Sequence, residues 1–154
     1  MRLRSLCVAR ALLACLALSC LAGHAAPTAS APRALPNPVL YLKITESYQA
    51  GGKDYIRYRY GVMNSAEYPA EMFAAAPNLP PCGQNAKSSR TWVDFYDQQG
   101  KRLYGFCALA KPEDLDTIWF ALEEGVVPPS YVYIELNDRA TNTKYKSNLA
   151  DTTP

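Results

Sequence analysis

The stretch Ser89–Leu109 constrains the fold more than any other part of this chain. Two runs rich in aromatic and β-branched residues, Thr91-Trp92-Val93-Asp94-Phe95-Tyr96 and Arg102-Leu103-Tyr104-Gly105-Phe106-Cys107, flank Asp97-Gln98-Gln99-Gly100. Asp suits the first position of a type I turn. Gly100 suits the left-handed position that follows it in a bulged hairpin. A β-hairpin is predicted, with Asp97 facing Lys101. If the register then runs unbroken, Phe95 meets Leu103, Val93 meets Gly105 and Thr91 meets Cys107 on one face. Trp92 meets Phe106, Asp94 meets Tyr104 and Tyr96 meets Arg102 on the other. Both faces carry large apolar groups, so the hairpin belongs at the centre of a fold.

The N-terminus reads as an address. Arg2, Arg4 and Arg10 precede and open an apolar run of small residues, Ala11–Ala22, and Gly23-His24-Ala25 fits a small-x-small cleavage site. Residues 1–25 are predicted to be a secretory signal peptide, too short and wrongly flanked to span a membrane. A lipid anchor at Cys20, preceded by Leu18-Ser19, is the alternative, with Cys15 a second box of the same kind. Residues 26–38 form a Pro/Ala-rich linker, too poor in apolar bulk to pack.

Export changes the composition that matters. The chain holds 16 Lys and Arg against 14 Asp and Glu, and three arginines leave with the signal, so the mature balance is 13 − 14 = −1. Nothing in that charge points to nucleic acid or to an anionic membrane. The single histidine, His24, leaves as well. The mature chain therefore has no Ser-His-Asp or Cys-His site and no imidazole for zinc. Of five cysteines, Cys82 and Cys107 remain, and an even pair in an exported chain is predicted to form one disulfide.

From Val39 to Asn148 the sequence reads as one all-β domain. Val39–Ile44 is a first strand and Gln49–Lys53 a turn. Asp54–Asn64 alternates cleanly, with Ile56, Tyr58, Tyr60 and Val62 on one side and Arg57 and Arg59 on the other. Asp116–Leu122, Tyr131–Leu136 and Thr143–Ser147 follow the hairpin as strands, with Val132, Ile134 and Leu136 inward and the last strand an edge guarded by its lysines. Pro69 and Glu71 suit a helical turn at Tyr68–Phe73, and Pro112 suits another at Lys111–Leu115. Residues 149–154 are expected to fray. The total is about seven strands and hardly any helix, which predicts a single antiparallel β-sandwich.

This arrangement resembles immunoglobulin and fibronectin type III domains. Trp92 on a middle strand and Tyr131 opening a late one are similar to their core tryptophan and tyrosine corner. The cysteines depart from that pattern, because both precede the sixth strand and Cys82 falls in a loop. The resemblance implies architecture and leaves function open.

Chemistry is sparse. Asp94, Asp116 and Glu135 are the carboxylates that a hydrolase would have to assemble in space. Asp94, Asp97 and Gly100 resemble a fragment of a calcium loop but lack its alternating ligands, and the turn explains them without a metal. No metal site and no cofactor is expected. The reading that remains is an exported, non-enzymatic binding or interaction module for a protein or glycan, periplasmic or extracellular. A structural accessory domain of an envelope assembly is the alternative, and a His-free carboxylate hydrolase a further one. The recognising element is expected in the long connection Ser65–Ser88, with Tyr68, Glu71, Asn78, Gln84 and Lys87 as its candidate binding residues, on a loop fastened by Cys82. The alternative is that Tyr68, Met72, Phe73 and Leu79 pack against the sandwich and the segment only caps an open end of the core.

One prediction follows from the cysteines alone. The bond would close a loop of about 24 intervening residues, worth roughly 3 kcal/mol of chain entropy. Replacing Cys82 and Cys107 together by serine should lower the unfolding free energy in urea by about that amount. An unchanged midpoint, with both thiols reactive in the native wild type, would show that they are not bonded.

Overall fold

The computed structural model describes residues 34–80 and 88–153. The expected signal peptide, most of the expected linker, and Cys82, Gln84 and Lys87 lie outside the described residues. Eight strands are found among those that are described. They are β1 (Leu40–Ala50), β2 (Lys53–Val62), β3 (Thr91–Asp97), β4 (Arg102–Phe106), β5 (Ile118–Glu123), β6 (Tyr131–Asp138), β7 (Thr143–Lys146) and β8 (Ala150–Asp151). They make two antiparallel sheets, one of order β1-β2-β5 and one of order β4-β3-β6-β7, with β8 also paired to β6.

Period-two alternation places the core as the sequence predicts. Tyr58, Tyr60 and Val62 of β2, Ile118 and Phe120 of β5, Val93 and Phe95 of β3, and Val132, Ile134 and Leu136 of β6 are all buried. Aromatic rings fill the middle. Tyr58 stacks on Phe120 at 4.9 Å, and Phe95 of the opposite sheet tilts against Phe120 at 5.5 Å and Tyr60 at 5.4 Å.

The hairpin is present, with β3 inside its sheet and β4 at the sheet's edge rather than both central, and its stem differs from the expectation. Gly100 has φ 86° and its N–H donates to the Asp97 carbonyl, as a bulged turn requires. Asp97 N–H donates to Lys101, and Tyr96 faces Arg102, both as predicted. Beyond that point the register slips by one residue. Phe95 faces Tyr104, Asp94 faces Gly105 and Val93 faces Phe106, so the expected pairs Phe95–Leu103 and Trp92–Phe106 do not form. Leu103 is the extra residue of a β-bulge. The slip turns Tyr104 and Phe106 to the side of β4 from which both reach Trp119 of β5, at 5.2 Å and 6.0 Å. Two aromatic contacts to the other sheet thus stand in place of the two expected cross-strand pairs.

Two termini are more ordered than expected. Leu35 packs on the core and Pro38 is buried, so order begins before Val39. The stretch expected to fray holds β8. Thr152 is buried and its hydroxyl donates to Pro129 O at 2.5 Å. Asn148 grips both backbone groups of Leu40: Oδ1 accepts from its N–H at 2.7 Å, and Nδ2 donates to its carbonyl at 3.0 Å. Between β7 and β8, Ser147 carries the ladder across the gap. Its N–H donates to Ile134 O, and its hydroxyl accepts from Ile134 N–H.

The residues that carried the family resemblance face outward. Trp92 alternates with buried Thr91 and Val93 and lies under the Arg139 guanidinium at 4.4 Å on the outer side of its sheet. Tyr131 is 44% exposed. Nearby, Arg90 and Asp138 tie β3 to β6 through a two-pronged pair of hydrogen bonds at 2.6 Å each. The Arg90 guanidinium, helped by Thr141 and the Ala140 N–H, holds the Asp138 carboxyl below its ordinary range although burial opposes this.

The turn geometry gives a direct test. Gly100→Val should cost roughly 1–2 kcal/mol, because a side chain at this φ collides with its own backbone and a β-branched one suffers most. Gly100→Asn, which tolerates the left-handed region, should cost clearly less in the same urea titration. Equal losses for the two would mean that φ is not what the position demands.

Candidate functional site

The long connection between β2 and β3 is built to close the sandwich. Its two 3₁₀ turns, Ser65–Glu67 and Ala70–Phe73, bury Met72 and Phe73. Thr91 donates its hydroxyl to Met72 O at 2.6 Å, and residues 74–76 pair back onto 88–90 through Ala76 N–H to Ser88 O and Arg90 N–H to Ala74 O. Tyr68 is no surface residue. It is 2% exposed, its hydroxyl donates to Pro36 O at 2.8 Å, and burial pushes its phenol far above the ordinary value. Asn64 is likewise engaged, accepting from Val39 N–H and donating to Asn37 O. Of the candidate binding residues, Glu71 and Asn78 are exposed, and Gln84 and Lys87 lie outside the described residues.

The three carboxylates do not form one site. Asp94 and Glu135 face each other across β3 and β6, yet each has its own cation: Arg102 at 2.7 Å from Asp94 and Lys144 at 3.0 Å from Glu135. Asp116 lies with the other sheet. There Lys43 at 2.7 Å and the Tyr41 hydroxyl at 3.0 Å hold its carboxyl below the usual range, with burial opposing. One Asp97 carboxylate oxygen accepts from the N–H groups of Gln99 and Lys101, which is turn chemistry.

The outer face of the three-stranded sheet carries what the sequence reading missed. On β2, Tyr55, Arg57 and Arg59 point away from the core. They stand opposite Tyr48, Glu46 and Ile44 of β1. Trp119, outward on β5, is the cross-strand neighbour of Arg59. These planar groups stack diagonally across the sheet. Tyr55 stacks on Tyr48 at 5.5 Å. The Arg57 guanidinium lies 4.2 Å from the Tyr48 ring centre and 4.7 Å from that of Trp119. Trp119 stacks on Tyr104 at 5.2 Å and 24°. The run thus crosses β1, β2 and β5 and reaches β4 of the second sheet.

Arg57 is fixed at the centre of this stack. Its Nη1 donates to Glu46 Oε1 at 3.0 Å, and Arg59 Nε donates to the same oxygen at 2.7 Å. Hydrogen bonds from Arg59 foremost and then Arg57 hold the Glu46 carboxyl below its ordinary range. Arg57 Nε is buried without an acceptor, a cost that the two ring faces offset through cation–π attraction. Tyr104 at the β4 end is 40% exposed, and Ile44 beside the stack is 54% exposed.

Physically this is a flat, pre-ordered surface of ring edges, hydroxyls and one guanidinium pair. Ring faces inside the stack are occupied by their own neighbours, so a sugar ring has only the ends to stack on. A protein surface can use the edges. The sequence signal was present in two places. Arg57 and Arg59 alternate with core residues, and Trp119 lies between inward Ile118 and Phe120. Period-two reading sends all three to the same outer face. No family model, no curated protein and no solved structure matches this chain.

A double-mutant cycle on Arg57 and Trp119 tests whether the stack is a coupled unit. Trp119→Ala should destabilise by about 2–4 kcal/mol, because it uncovers both Arg57 and Tyr104. Combined with Arg57→Ala, a coupling of about 0.5–1 kcal/mol or more is expected. Strict additivity in urea unfolding would mean that the two groups are merely adjacent.

Proposed function

We propose that this chain is an exported, non-enzymatic binding module, an immunoglobulin-like β-sandwich that takes a protein partner on the outer face of its three-stranded sheet. The observation that carries this reading is the stack Tyr55–Tyr48–Arg57–Trp119–Tyr104. Tyr, Trp and Arg are the residue types on which interface energy concentrates. Their side chains are already held in one arrangement here, which lowers the ordering cost of association.

Strand order supports the immunoglobulin-like part of the proposal. The sheets β1-β2-β5 and β4-β3-β6-β7 correspond to strands A-B-E facing C-F-G, with the fourth strand joined to the C side. The outward Trp92 and Tyr131 do not contribute to it. The disulfide belongs to the same proposal. What supports it is the Cys107 carbonyl, which accepts from Ser89 N–H just after the segment that contains Cys82. Export rests on the basic, apolar and small-residue pattern of residues 1–25.

A structural accessory domain is the second reading. It draws on the same stack, which bridges β5 and β4 whether or not anything binds outside it. Hydrolysis has less support, since Asp94, Glu135 and Asp116 are each held by a basic side chain.

The experiment is capture from an envelope extract by the immobilised mature chain, with glycan binding measured in parallel. Tyr55→Ala combined with Tyr104→Ala trims the two ends of the stack and leaves its centre. A specific protein retained by the wild type should bind about tenfold more weakly or worse to this variant. Glu71→Ala combined with Asn78→Ala should change nothing. The opposite pattern would move the site to the 65–88 connection. Binding of a glycan alone would change the class of partner.

A further inference from the structure

The edges of the two sheets are not guarded alike. β7 presents Lys144 and Lys146. β4 and β5 are neighbours across the sandwich, joined by the contacts of Tyr104 and Phe106 with Trp119. The start of β1 is closed by Asn148, which occupies both backbone groups of Leu40. It is then interrupted by a bulge between Leu42 and Ile44. The second half, Ile44-Thr45-Glu46-Ser47-Tyr48-Gln49-Ala50, has none of these devices. It holds one charge, no proline and no glycine.

Register fixes which of its backbone groups are free. Gly51 and Gly52 form a two-residue loop with φ 59° and 75°, so the closing pair Ala50–Lys53 is a hydrogen-bonded one. Alternation then directs Tyr48, Glu46 and Ile44 to β2 and Gln49, Ser47 and Thr45 away from it. An independent contact agrees: the Asp54 carbonyl, opposite Gln49, turns to the β5 side and accepts from Glu124 N–H at 2.9 Å. The N–H and C=O groups of Thr45, Ser47 and Gln49 have no hydrogen-bond partner among the described residues.

We propose that this half-strand is a self-association edge, on which a second copy of the chain pairs antiparallel about Ser47 and the two three-stranded sheets become one sheet of six. The register is self-complementary. Ser47 faces its counterpart and Thr45 faces Gln49 of the second copy, so every outward N–H and C=O meets an acceptor or donor. Glu46 then faces Tyr48 of the other copy, and exposed Ile44 faces its Ala50. Pairing about Glu46 would set two carboxylates directly opposite each other, and pairing about either Glu46 or Tyr48 would satisfy fewer of the outward groups. A strand with one charge and an odd-numbered set of free groups centred on a small polar residue suits its own copy, with no lysine or proline to refuse it.

Sedimentation of the mature chain over a wide concentration range is the test. A monomer–dimer equilibrium is expected for the wild type. Ser47→Pro removes an outward N–H that takes no part in the β1–β2 ladder. Ser47→Lys sets two like charges opposite each other only in the dimer. Both should weaken dimerisation by at least about tenfold while the far-ultraviolet spectrum stays that of the wild type. If the proline variant misfolds, the lysine variant carries the test, since an exposed strand position accepts it. A wild type that stays monomeric throughout, or a dimer that Ser47→Lys does not weaken, overturns the proposal. Neither result touches the partner surface, which Tyr55 and Tyr104 probe separately.

Discussion

Phe95 stands where the two sheets meet, and the rest of the molecule depends on what surrounds its ring. Tyr60 and Phe120 come to it from the opposite sheet, and Tyr58 stacks behind Phe120. Each such ring is worth about 2–3 kcal/mol when fully buried, with a further ~0.5–1.5 kcal/mol for each well-placed aromatic pair. The cluster also reaches the end of the chain. The hydroxyl of fully buried Tyr60 needs an acceptor and finds Asp151 O at 3.0 Å, which helps to hold β8 against β6. A phenylalanine at position 60 would fill the same space and leave that carbonyl without its partner.

What could be read from sequence was whatever depends on period two within one strand. The inward faces of β2, β5 and β6 follow from alternation alone, and the turn at Asp97–Gly100 follows from local chemistry. What could not be read depends on a third body. Pairing rules applied to β3 and β4 see only those two strands, and they favour the unbroken register. The bulge at Leu103 exists because Trp119, distant in sequence, gives Tyr104 and Phe106 a place to pack. A slip of one residue exchanges every side chain between the faces of a strand, so one remote tryptophan overturns two predicted pairs. The C-terminal residues misled for the same reason. Thr152 looks like part of a polar tail, and its partner Pro129 is remote from it in the chain.

The candidate site was legible in its parts and illegible as a whole. Arg57 and Arg59 were correctly placed on the outer face, and their alternation with core residues suggested ordinary solvation. Only the neighbouring strands show that Arg57 is enclosed by two rings and shares a carboxylate oxygen with Arg59. Tyr68 resolves the other way: of its two expected roles, packing against the core and presentation to a partner, the folded-back connection leaves only the first. The difference lies in backbone accounting. A segment of this length persists only where its polar groups find partners, and those formed by residues 74–76 and 88–90 draw Met72 and Phe73 inward and make the segment a lid on the core.

Both outer faces carry cation–π contacts, Arg139 over Trp92 and Lys146 over Tyr133 on the five-stranded sheet and Arg57 between Tyr48 and Trp119 on the three-stranded one, and they differ in how their ion pairs are held. On the five-stranded sheet, Asp94–Arg102 and Glu135–Lys144 are ion pairs in which the basic partner is largely in water. Such pairs contribute little and yield readily to solvent. On the three-stranded sheet the charged centre is instead wedged between aromatic rings, and the rings are braced across to β4. Ordering entropy for these long side chains has been lost on folding rather than left to be lost on binding. Ion pairs on an open face discriminate poorly between partner and water. A braced stack beside an unguarded half-strand puts a rigid face and an open edge within one sheet.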